Sequence, residues 1–173
     1  VKLMIRFLTS SNIWVSFCAL ALTASSEILF QTTNYSISQF VFFATFFTYN
    51  FQRAVRIKKN KIRPSEIWLK QNRRIIFPLM FLALIVSSYH FINFKLITQI
   101  AIIFSATLSF LYLFGIRNIP FLKIFVISLV WAISTMLLIL LENNLLISQN
   151  IIWHFISRFL FVFAITIPFD IRD

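Results

Sequence analysis

The chain has 173 residues, of which 60% are hydrophobic, 23 are Phe and only 12% are charged, and its mean hydropathy is +0.87. Soluble domains carry about a quarter charged residues, so this is a membrane protein. A formal charge of +11 invites a nucleic-acid partner, but no zinc-finger, helix-turn-helix or aromatic RNA-binding signature accompanies it, and that partner is left without support.

A helix needs about 20 apolar residues to cross a hydrocarbon core about 30 Å thick. Six runs come close to that length: Ile13–Phe30, Tyr35–Gln52, Ile75–Ile92, Leu96–Ile116, Phe121–Leu141 and Ser148–Phe169. The expected fold is all-α: one polytopic bundle of six transmembrane helices filling residues 1–173. The first run follows Lys2 and Arg6 as a signal peptide would, yet it is longer than a typical signal core and five more runs follow. It holds Cys18, the only cysteine, which rules out an intrachain disulfide or a cysteine metal site and reads as a small packing residue.

The second run is broken by Ser36, Ser38, Gln39, Thr45, Thr48 and Asn50. Thr45, Tyr49, Gln52, Arg53 and Arg56 follow steps of three and four, so they form one polar stripe, of the kind that faces a cavity or another helix. Arg53 and Arg56 at its foot can hold a diphosphate by charge-assisted hydrogen bonds, or simply end the span. Residues 53–74 then form a basic loop rich in Arg and Lys. In its later part Ser65 can cap a short helix, Glu66 suits its first turn and Arg73 and Arg74 its end. Ile67, Trp68 and Leu69 are expected to rest on the membrane interface, with the basic residues facing water or anions.

Lys2, Arg6, the 53–74 loop, Arg117 and Lys123 all fall on one side of a six-span bundle, and the opposite loops carry only Lys95. The positive-inside rule makes the crowded side cytoplasmic, together with the N-terminus. Pro78 falls in the first turn of the third run, and Trp14, Tyr35, Tyr89, Tyr112 and Trp153 lie near span ends as interfacial anchors. Gly115 is the only glycine, which excludes a P-loop, a dinucleotide-binding fingerprint and a glycine-paired helix dimer. In the sixth run Arg158 lies near the middle, with His154 one turn away. A central Arg costs roughly 2.5–3.5 kcal/mol on insertion scales, so it is expected to face the bundle and pair with Glu27 or backbone carbonyls; a proton or ion path is the other reading. His90 and His154 lack metal-ligand company and read as interfacial.

Pro168 is expected to bend or end the sixth helix just before Asp170. Asp170 and Asp173 are two of only five acidic residues. Three apart on a helix, they share a face, and two carboxylates there can hold a hard cation such as Mg2+ that bridges to phosphates. The other reading is a solvated helix end.

A polar constellation at the cytoplasmic end of the second helix, a basic loop after it and an Asp pair at the same end of the sixth helix together resemble the UbiA-type intramembrane prenyltransferases. That family carries an Asp-rich motif, NDxxDxxxD, after its second helix and a DxxD or DxxxD after its sixth. The resemblance implies that Asp170 and Asp173 hold Mg2+, that Arg53, Arg56 and Arg172 meet the diphosphate of an isoprenoid donor, and that Tyr49 and Asn50 line the substrate pocket. Ser11-Asn12-Ile13-Trp14 is similar to the family's first-helix segment, which adds Asn12 to the acceptor pocket. The first motif departs from the pattern: with Asn50 on its Asn, Phe51, Ala54 and Lys58 stand where acids belong. The family has about nine spans, so the resemblance also implies a chain continuing beyond Asp173. The expected function is Mg2+-dependent transfer of an isoprenoid group to a small acceptor in the plasma (inner) membrane. The alternative is a non-catalytic membrane protein, either a degenerate prenyltransferase relative or a transporter-like bundle.

Overall fold

A computed structural model describes residues 7–32, 34–58, 64–114 and 122–172. Among these the chain is helical with short turns, and no strand occurs. The helices are α1 (Ile13–Leu29), α2 (Ser36–Lys58), α3 (Pro64–Gln71), α4 (Arg73–Asn93), α5 (Leu96–Phe114), α6 (Leu122–Glu142) and α7 (Gln149–Arg172). Three of them, α4, α6 and α7, are long and apolar enough to cross a membrane, and α1 and α5 are shorter apolar helices. At 23 residues α2 has the length, but its Ser, Thr, Gln and Asn residues and its basic end dilute its apolar character.

The helices fall into two compact units. The first combines α1 up to Ser25 with α2, α3 and α4; the second combines Ser26–Thr33 with α5, α6 and α7. In the first unit α2 lies along α4, and α3 touches both. The core there is Phe46, Leu69, Ile76, Met80 and Ala83, with Ile13, Phe43, Phe47, Phe51, Ala54 and Trp68 packed against it. Leu69 is therefore buried against protein, and Trp68 meets Phe7 edge-on at 5.6 Å. This corrects the expectation that both rest on the membrane interface, because α3 has a protein groove to fill. Ile67 alone of the three is exposed.

Most of the expected 53–74 loop is helix. α2 runs on to Lys58, since Arg, Lys, Val and Ala offer no helix break, and α3 opens at Pro64, whose fixed φ and missing N–H suit the first helical position. Pro64, rather than a cap at Ser65, starts the helix. Asn72 separates α3 from α4: its backbone N–H and side-chain Nδ2 both donate to the Trp68 carbonyl, at 3.0 and 2.9 Å, and its own carbonyl accepts from Ile75 and Ile76. Because α4 starts at Arg73, Pro78 falls in the second turn instead of the first.

In the second unit α6 is central, packing on both α5 and α7. Over half of it is buried, against 6% of the Gln149–Pro168 stretch of α7, so α7 offers most of its apolar surface outward. Ile133–Leu137 is a π segment inside α6. The Lys95 N–H at the start of α5 donates to Glu142 Oε2 at the end of α6, at 3.1 Å. With glycine so scarce, left-handed positions fall to other residues: Gln31 (φ 52°) and Asn144 (φ 50°). Each closes a helix with paired bonds. Gln31 N–H donates to the Ile28 carbonyl and Thr32 N–H to the Glu27 carbonyl; Asn144 and Leu145 repeat the pattern on Leu141 and Leu140.

Two further expectations change. Cys18 is exposed on α1 instead of packed. Of the two outcomes expected at Pro168, a bend or an end, the end does not occur, since α7 continues to Arg172. Proline removes one backbone donor, and in membrane helices such a break is tolerated when freed backbone groups find other partners.

Candidate functional site

Asn12 has φ 61°, and this left-handed residue breaks the chain between the helical turn at residues 7–10 and α1. Carbonyls at the end of that turn, on Ser10 and Ser11, then lack the amide partners a continuing helix would supply. The donors come from α2. Asn50 and Arg53 are three apart and share a face. Arg53 Nη1 donates to the Ser10 carbonyl and Arg53 Nη2 to Asn12 Oδ1 at 2.7 Å. Asn12 Nδ2 donates to Asn50 Oδ1 at 3.1 Å, and Asn50 Nδ2 donates at 2.9 Å to the carbonyls of Ser11 and Phe46.

These bonds run in one direction, from Arg53 through Asn12 to Asn50 and on to Ser11. Each amide accepts at its oxygen and donates from its nitrogen, so the charge of Arg53 polarises the whole series. The amide pair is closed to solvent, with Ser11 and Asn50 fully buried and Asn12 nearly so, while Arg53 is half-buried at its edge. Ser16 adds to it by donating its hydroxyl to the Asn12 carbonyl at 3.1 Å. A buried carboxamide pair that satisfies itself this way costs little, whereas leaving one member unpaired costs the full desolvation of the orphaned group.

Three of the residues named from the sequence, Asn12, Asn50 and Arg53, thus meet in one network. Tyr49 is half-buried one position before Asn50, about 100° around the helix from it. Arg56 stands one turn beyond Arg53 on α2, and Asp170 and Arg172 lie in the last turn of α7, but the side chains of all three are outside the described residues. Asp173 is itself outside them. Among the described residues no group of three or more His, Cys, Asp or Glu side chains is placed to hold a metal ion.

The second unit holds its own polar contact. Arg158 is half-buried and its Nη2 donates to Ser26 Oγ at 3.0 Å; Glu27, next in sequence, is fully buried. A partner inside the bundle was the expectation, and Ser26 is one that the sequence reading had not named. The signal was available, since Ser26 adjoins the one acidic residue in the first five apolar runs that lies within a span. The carbonyls of Ser10 and Ser11 were also missed, because nothing in the residue types marks Asn12 as left-handed.

No protein-family model, curated protein or solved structure matches the chain.

Proposed function

We propose that the chain is a multi-pass protein of the plasma (inner) membrane with six spanning helices and a cytoplasmic N-terminus, and that it acts as a UbiA-type prenyltransferase. The observation that carries this reading is the meeting of Asn12, Asn50 and Arg53, which stand 38 and 41 positions apart in the chain. The resemblance had assigned the first two to a substrate pocket and the third to a diphosphate.

On this reading Arg53 is held in place by Ser10 and Asn12, so a fixed cation faces the departing diphosphate. Arg56 and Arg172 add positive charge, and Asn12 and Asn50 fix the wall of the pocket. The carboxylates of Asp170 and Asp173 are hard oxygen donors of the kind Mg2+ takes, and the ion would neutralise diphosphate charge as the allylic carbon becomes positive. Phe-rich helix walls suit an isoprenoid tail and exclude water.

The non-catalytic reading also has an observation in its favour. Phe51, Ala54 and Lys58 leave the first motif without acids, and the Asn12 and Asn50 amides already bond to one another. Titration of a labelled prenyl diphosphate in nanodiscs decides between them. The prenyltransferase reading expects Mg2+-dependent binding by the wild type, loss of it in Asp170→Asn/Asp173→Asn, and weaker binding in Arg53→Gln even at saturating Mg2+. Unchanged affinity in the Asp variant refutes the assigned metal site, and no binding by the wild type counts against the prenyltransferase reading.

A further inference from the structure

We propose that the junction of α3 and α4 is a binding surface for anionic phospholipid headgroups, formed by Lys70, Arg73 and Arg74. This stands whether or not the chain is a prenyltransferase. All three residues are exposed, and they fall at the start of a membrane-length apolar helix, so they sit at headgroup depth. Helical Cα–Cβ bonds tilt toward the helix N-terminus, which aims Arg73 and Arg74 back toward α3 and away from the hydrocarbon. On α3, Ile67 shares a face with Lys70, opposite the buried Leu69. Ile67, Ile75 and Phe77 are about half exposed or more, and they give the same junction an apolar edge to insert among lipid chains. A cationic cluster flanked by exposed apolar side chains at the interface is the pattern that anionic membranes attract.

Two features make the surface more than a set of loop charges. First, α3 is pinned: Leu69 is 1% exposed within the protein core and Trp68 packs on Phe7, so Lys70 is presented at a fixed place instead of swinging on a loop. Second, the first turn of α4 contains no acidic residue and two arginines. The positive end of a helix dipole favours anions there and disfavours cations, so an anion drawn to the pair gains from the dipole as well.

Each basic residue near an anionic surface strengthens attachment by about five-fold, so losing all three weakens it on the order of a hundred-fold. The test uses the full chain in neutral detergent micelles, titrated with phosphatidylglycerol or phosphatidylcholine carrying brominated acyl chains, with quenching of tryptophan fluorescence as the readout. Wild type should reach half-quenching at much lower phosphatidylglycerol than phosphatidylcholine, and raising salt until the Debye length falls from about 10 to 3 Å should erase the preference. Lys70→Gln/Arg73→Gln/Arg74→Gln should lose the preference, Lys70→Arg/Arg73→Lys/Arg74→Lys should keep it, and Lys95→Gln, a change in the other unit, should keep it too. Equal midpoints for the two lipids in wild type would overturn the proposal. So would an undiminished preference in the Gln variant, insensitivity to salt, or competition by inorganic phosphate as effective as by the lipid.

Discussion

Replacing Asn50 by Ala is the sharpest probe of the buried network. The Phe46 carbonyl belongs to α2 and keeps its backbone partner, so losing that branch of the Asn50 amide matters little. The other two bonds span separate parts of the chain. Without them the Ser11 carbonyl loses its donor and the Asn12 amide loses its acceptor, both in a region from which solvent is excluded. At about 1–3 kcal/mol for each orphaned buried group, Asn50→Ala should cost about 2–6 kcal/mol. Unfolding in mixed micelles of increasing denaturing detergent, followed by circular dichroism, gives the loss. The same titration on Asn12→Ala and on the double variant gives the coupling, expected at about 0.5–3 kcal/mol for residues in direct contact. A loss in Asn50→Ala below about 0.5 kcal/mol, or additivity of the two single changes within about 0.5 kcal/mol, would refute the reasoning and leave the network without weight in stability.

Two further outcomes follow from the fold. Leu69→Ala should destabilise the protein by about 2–5 kcal/mol, as core truncations do, when measured by the same unfolding titration; a change below about 0.5 kcal/mol would return α3 to the lipid surface. In a Cys18→Ser background, single cysteines between residues 53 and 74 should react with impermeant maleimide only from the cytoplasmic side, and labelling from outside would overturn the orientation.

Helix positions were readable because each apolar run is close to the length that a bilayer demands, and helix ends moved by only a few residues wherever a run met a polar segment. α2 was the exception at its C-terminal end. Its apolar pattern stops near Gln52, but Arg and Lys are good helix formers and the helix continues until Lys58. Asn12, Asn50 and Arg53 could be singled out as polar residues in apolar surroundings. Which groups they touch was not readable, since the contacts cross about 40 positions and depend on one left-handed residue that chain chemistry permits at many Asn positions. Leu69 shows the same limit from the apolar side. An amphipathic pattern says that one face is covered but does not say whether lipid or protein covers it.

The π segment at Ile133–Leu137 has a consequence for how this chain can change over evolutionary time. Its wider turn accommodates about one more residue than an α-helix would, so everything after it is rotated about 100° from the frame set by Leu122–Ala132. Leu138, Ile139 and Leu140 reach the interior, and Glu142 reaches the Lys95 N–H, in that shifted frame. Deleting one residue from the segment would restore an ordinary α-helix and swing those side chains out of register. Length changes of one residue are normally confined to loops, but in this chain one has a natural place in the middle of its most buried helix, and an alignment that forbids gaps within spans would misplace every residue from Leu138 to Glu142.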